Sequence, residues 1–271
     1  MNRGYIVFIV EGESREPLII ANLTQIFFKS LPCIISLSAG ENLYMLWNIL
    51  KQDEYETDII EVLREYSPSA RKRLEEENLT RDNIEEIYLF FDYDGHQNNV
   101  PIEAANEDVV REMLGVFSNE TELGKLYISY PMVEALRDFK LGECTAATSC
   151  FWKISQSHDY KTRSGIGTMH SDVRKYDINL WSGILRVFVR RLACLYGWES
   201  PMQFYEEREH IEPIYIYDKE QRLLRKGCLF ILSAFPEFLL DYHRMPFVRS
   251  MVGNLRKLPD TCENKMSCIE R

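Results

Sequence analysis

Long apolar runs are missing from this 271-residue chain. None approaches the roughly 18–20 residues that a membrane-spanning helix needs, so no transmembrane helix is expected. Paired metal-type cysteines are missing as well. The seven cysteines (Cys33, Cys144, Cys150, Cys194, Cys228, Cys262 and Cys268) contain no C-x-x-C, and an odd count does not close a disulfide framework. Reduced, mostly buried thiols in a cytoplasmic setting are the expectation. There is no G-x-x-x-x-G-K-[ST], so any ATP would have to be bound by another protein. Positive charge is in deficit: 32 Lys and Arg against 42 Asp and Glu give a formal net charge of -10. That excludes coating nucleic acid by bulk charge, but not a local grip made through metal ions. Internal repeats and low-complexity segments are absent. The first residues, MNRGYIVFIVEGES, have too short an apolar run for a signal peptide and end it in carboxylates, so they read as a first strand.

What is present is a pair of matching strand ends. Ile6–Val10 is apolar and stops at Glu11-Gly12-Glu13, with Glu16 and Pro17 just beyond. Ile87–Phe91 is apolar and stops at Asp92-Tyr93-Asp94-Gly95. Clean apolar runs of this length read as buried strands. Open α/β sheets carry their chemistry at the C-terminal strand ends. Two acidic ends side by side suit a hard divalent cation, Mg2+ or Mn2+.

The rest of the chain alternates around those strands. Helical spacing follows Pro17 to about residue 29, and Cys33–Leu37 reads as a strand. Glu41–Lys51 reads as a helix with Leu43, Leu46, Trp47 and Leu50 on one face. Asp53–Glu86 is charge-rich, with helical patches at 59–66 and 70–78, and reads as a helical insertion or lid. A helix at 104–117 and a strand at Lys125–Ser129 follow, the strand leading into Tyr130-Pro131-Met132-Val133-Glu134. This order predicts an α/β fold, with a mostly parallel four-stranded sheet flanked by helices over residues 1–140. Residues 141–271 are expected to form a mainly helical C-terminal region. Within it 141–170 reads as loop, Ile178–Leu195 as a strong helix, Pro213–Tyr217 as a short strand, and Leu229–Tyr242 as an apolar stretch with a helix starting at Pro236. The tail from Arg256 is polar.

Several residues are candidates for chemistry. Glu11 is the strongest, because Gly12 lets the backbone turn tightly beside a ligand. Asp92 and Asp94 could aim at one ion, which would relieve the mutual repulsion of two close carboxylates. Glu16 and Glu134 are candidate further ligands, with ordinary first-turn helix acids as the competing reading; Glu13 fits that plainer role better. Lys161, in DYKTRSG, could stabilise phosphate charge. His96 follows the aspartates, but a lone loop histidine is more often solvated. Arg186, Arg190 and Arg191 could hold a nucleic-acid backbone or simply line a helix.

Together, a strand ending in Glu-Gly and a later strand ending in Asp-x-Asp resemble the TOPRIM domain of topoisomerases, primases and OLD-family nucleases. Glu11-Gly12-Glu13-Ser14-Arg15-Glu16-Pro17 is similar to the first motif of the RloB-like branch found in antiphage defence. The Pro131…Glu134 and Tyr160-Lys161 segments are similar to later parts of that branch. The resemblance covers about residues 5–140; the 53–86 insertion departs from it. It implies a TOPRIM-like fold and a cytoplasmic, Mg2+-dependent nuclease acting as a defence effector. Glu11, Asp92 and Asp94 would be metal ligands, Glu16 and Glu134 would complete a second metal site, and Lys161 would act in catalysis. It further implies an ATPase partner and leaves room for a homo-oligomer. No base-reading motif decides between DNA and RNA, tRNA included.

Two other readings remain in view. A degenerate TOPRIM module would serve as a binding or regulatory subunit. FFDYDGH also resembles the start of haloacid-dehalogenase-type phosphatases, with Asp92 as nucleophile. That leaves Glu11-Gly12 unexplained and places the motif on a later strand than usual.

Overall fold

The computed structural model describes residues 4–28, 34–39, 43–93, 106–139, 150–154, 157–165, 171–208 and 211–255. The chain divides into two compact units. One comprises Met1–Phe91 with His96–Tyr127; the other comprises Asp92–Gly95 with Ile128–Arg271.

The first unit is built on a sheet whose strand order is β2-β1-β3-β5-β4. β1 (Tyr5–Val10) is central because it is apolar on both faces: Val7, Phe8, Ile9 and Val10 are fully buried. Such two-sided burial is what a parallel strand covered by helices requires. It pairs in parallel with β2 (Ile34–Ser38) and with β3 (Ile84–Asp92), the last pair in the latter register being Val10 with Phe90. α1 (Arg15–Phe27) connects β1 to β2 and buries Ile19, Ile20 and Leu23 while Leu18 faces solvent. Phe8 sits among the rings of Phe28, Tyr88 and Phe90, at centroid separations of 5.6–6.3 Å.

The sheet is mostly parallel but has five strands rather than four. The extra one, β4 (Ser118–Asn119), is a two-residue antiparallel partner of β5 (Gly124–Ser129). Too short to show periodicity, it is set by the tight turn at Gly124, whose φ is +111°. A side chain there would meet Leu89 Cδ1 at 2.5 Å. The third strand begins at Ile84 and not Ile87, its first turns of register being half polar.

α2 (Leu43–Gln52) precedes the insertion, which holds α3 (Ile59–Tyr66) and α4 (Pro68–Glu76). Both are capped as their sequences ask. Asp58 accepts from Ile60 N–H at 2.8 Å and Ser67 from Ala70 N–H at 3.2 Å, with Pro68 in the first turn. Arg81 fastens this insertion. It gives Nε to Asp58 at 2.9 Å, and its terminal nitrogens to the carbonyls of Ile84, Thr121 and Glu122. α5 (Asn106–Val116) returns the chain to β5.

The second unit is mainly helical. The 141–170 segment expected as loop contains β6 (Phe151–Lys153) and α6 (Ser157–Gly165). α6 was hidden because, among its described side chains, only Tyr160 and Ser164, one turn apart, are buried. α7 (Ile178–Tyr196) starts at the Asp177 cap and ends at Gly197 in the left-handed region. Pro213–Tyr217 is not a strand but the start of α8 (Pro213–Leu224). Its IYIY alternation looks β-like, yet the buried set Ile216, Tyr217, Glu220 and Leu223 follows helical spacing. β7 (Cys228–Phe230) pairs antiparallel with β6, and Tyr130 bridges to Leu232. α9 (Ala234–Tyr242) is almost wholly buried, and α10 (Met245–Val252) packs on α7. Among the described residues no helix is long and apolar enough to cross a membrane.

Candidate active site

In the first unit the apolar strand β1 delivers Glu11 at its C-terminal end. The turn is fastened from β2: Ala39 N–H donates to the Val10 carbonyl at 2.8 Å, and Ser38 Oγ reaches the Glu11 carbonyl at 3.4 Å. Glu11 is half-buried and Glu13 exposed. Glu16, in the first turn of α1, is buried and folds back so that its Oε1 accepts the Gly12 N–H at 3.1 Å. A strand-to-helix turn leaves such N–H groups unpaired, and a carboxylate at a helix N-terminus satisfies one while facing the positive end of the helix dipole. Gly12 is required by this fold-back: a Cβ there would stand 2.8 Å from both Glu16 carboxylate oxygens.

In the second unit Asp92, the half-buried last residue of β3, precedes Tyr93, whose N–H donates to the Ser129 carbonyl at 2.9 Å. The chain then runs from Tyr130 into the 3-10 turn Val133–Leu136, where Glu134 is buried. α6 brings Lys161 to it. Lys161 Nζ lies 4.0 Å from Glu134 Oε1, with the lysine side chain 75% exposed and the glutamate 3%. The two candidates, 27 positions apart, therefore meet. A buried carboxylate gains from a nearby cation, whereas the exposed ammonium remains open to an outside anion.

Asp94 and His96 lie outside the described residues. Among the described residues, no three of His, Cys, Asp and Glu converge as a metal centre. Two arginines of α7, Arg186 and Arg191, have structural duties. Arg186 Nε donates to the Val252 carbonyl at 2.9 Å, and Arg191 donates to the carbonyls of Ile231 and Asp138.

Three sets of contacts had no signal in the sequence. Arg137 donates through Nε and a terminal nitrogen to Ser164 Oγ at 3.1 and 3.0 Å, and to the Lys161 carbonyl at 2.5 Å. Beside it, Tyr160 donates to Asp138 Oδ2 at 3.0 Å; burial first, and the Asp138 carboxylate second, hold its phenol well above the ordinary value. Glu220, on α8, is fully buried: Oε2 accepts the Phe230 N–H at 2.9 Å, and among the described residues Oε1 has no hydrogen-bond partner. Burial pushes its pKa from 4.5 up to about 8, against the lowering effect of the Phe230 bond.

No protein-family model, curated protein or solved structure matches this chain.

Proposed function

We propose that the protein is a divalent-metal-dependent nuclease that hydrolyses phosphodiester bonds in DNA or RNA. The supporting observation is the parallel register that pairs Val10 with Phe90. It makes the C-terminal ends of β1 and β3 neighbours in one sheet. Glu11 follows the first of those ends and Asp92 closes the second. The donors available there, carboxylates with only hard oxygen atoms, suit Mg2+ or Mn2+ better than softer metals. The sequence resemblance assigns Glu11, Asp92 and Asp94 to a cation, which would supply Lewis-acid stabilisation and a water of lowered pKa.

The chain's own residues supply the rest. Gly12 keeps the backbone free of a side chain beside the turn. Glu16 holds that turn through the Gly12 N–H, so it acts first as a brace and only secondarily as a ligand. Lys161, exposed but neighbouring Glu134, offers a cation to the anionic phosphoryl group as charge develops. A role as the toxic effector of an antiphage system, restrained by an ATPase partner, belongs to the same proposal and rests on the sequence resemblance.

Purified protein incubated with plasmid, single-stranded DNA and total tRNA, in Mg2+ or Mn2+ against EDTA, tests the reading. Metal-dependent cleavage that drops about 10²–10³-fold in Glu11→Gln and Asp92→Asn, with folding unchanged, is expected. Absence of cleavage of all three substrates refutes it. The Glu16 fold-back favours one alternative, a catalytically reduced module that binds nucleic acid without cutting it. Metal-independent binding without turnover would establish that alternative.

A further inference from the structure

We infer that Arg137 is a positioning residue for the Lys161 ammonium. The inference rests on the reading that Glu134 and Lys161 serve the phosphoryl centre. α6 is short and mostly polar, and among its described side chains Tyr160 and Ser164 are buried. A nine-residue helix does not hold its orientation by propensity alone, because most helix stability comes from tertiary packing. Contacts around Tyr160 hold it. Tyr160 is tied to Asp138, whose backbone carbonyl is in turn held by Arg191 on α7. Tyr160 also packs edge-on against Trp152 at 5.3 Å between ring centroids, and Arg163 lies 4.5 Å over the Trp152 ring, so these contacts hold the helix at Tyr160 and Arg163.

Arg137 adds the tie at Lys161 itself. It stands three residues after Glu134, at the end of the same 3-10 turn. Its planar guanidinium makes three hydrogen bonds to α6: two to Ser164 Oγ and one to the carbonyl of Lys161 itself. Ser164 Oγ also donates to that carbonyl at 3.1 Å, which closes the clasp. One side chain thus links the backbone of Lys161 to the turn that carries Glu134. A lysine could not replace it fully, since one ammonium cannot span both acceptors in a fixed fork.

The test uses the full chain with its lysines converted to 13C-dimethyl-lysine, which keeps their charge. The Lys161 resonance is identified by its loss in Lys161→Gln. Glu134→Gln is expected to shift this resonance, and Arg137→Gln to shift it in the same direction, with Arg137→Lys between Arg137→Gln and the wild type. If Arg137→Gln proves too unstable to study, Ser164→Ala removes two of the three guanidinium bonds and should give the same shift. An unmoved Lys161 resonance in folded Arg137→Gln or Ser164→Ala overturns the inference, as does an unmoved resonance in Glu134→Gln. These readouts need no activity. If the wild type cuts nothing, the nuclease reading fails while the spectra still decide the role of Arg137. Where it does cut, Arg137→Gln should lower kcat without raising KM, and the Arg137→Gln/Lys161→Gln double variant should be no slower than Lys161→Gln alone. A loss confined to KM, or fully additive losses, would overturn it.

Discussion

Glu220→Gln should make the protein more stable, and increasingly so as pH rises. Glu220 is fully buried on α8, and among the described residues no cation pairs with it. Its surroundings include the buried Tyr130, which feels both Glu220 and Glu237. The folded state therefore keeps the proton, with the pKa raised from 4.5 to about 8. The sign follows from linkage. Below the unfolded pKa both states are protonated and nothing is lost. Between 4.5 and about 8 the unfolded chain ionises while the folded one does not, so stability falls as pH rises. At neutral pH this amounts to about 3 kcal/mol, taking about 1.4 kcal/mol per pKa unit. Glutamine keeps an oxygen for the Phe230 N–H. Its NH2 group takes the place of the unpartnered oxygen, so the hydrogen-bonding cost is similar in both proteins. Urea unfolding of both proteins, at a pH near 5 and again near 8, reads the difference directly. A gap that opens toward alkaline pH is expected. Equal pH slopes, or a variant less stable than wild type at the alkaline end, would refute the picture of a neutral buried acid.

Other perturbations follow from single contacts. Arg208 donates to the carbonyls of Leu240, Asp241 and His243 at the end of α9, so Arg208→Met should cost about 1–3 kcal/mol in chemical unfolding. His243 is held neutral by burial and then by the Arg208 charge, with its pKa pushed down to about 4. In the same variant its NMR titration should move up only part of the way to 6.5, because burial is the larger cause. Gly124→Ala meets Leu89 and Ile87 at a positive φ and should destabilise by about 1–3 kcal/mol in thermal unfolding. Gly12→Ala should displace the Glu16 carboxylate and expose the Gly12 N–H to hydrogen exchange, while shifting overall stability by only about 1 kcal/mol.

The strands β1, β3 and β5 were legible because two-sided burial writes itself as an unbroken apolar run, as in IVFIV and IYLFF. Their acidic ends were legible for the same reason, since a carboxylate after such a run stands out. α8 was not, because Ile214–Tyr217 alternates like a strand until Glu220 and Leu223 are known to be inward. α6 was not, because a buried Tyr160 one turn before a buried Ser164 is too sparse a pattern to read as a helix. Glu220 itself was not, since sequence spacing cannot say that a carboxyl is buried and neutral. The meeting of Glu134 with Lys161 depends on chain folding over 27 positions, beyond the reach of any local pattern.

The Arg81 guanidinium has a bearing on how the first unit unfolds. One side chain joins the cap of α3, the opening residue of β3 and the turn between β4 and β5. Ile59, Ile60 and Leu63 of α3 and Leu74 of α4 are buried besides. A segment tied this way cannot open by itself as a hinged flap would. It should exchange its amide hydrogens together with the strands, as a single cooperative block. Residues 53–83 are thus a buttress of the sheet, and excising them would remove part of its support.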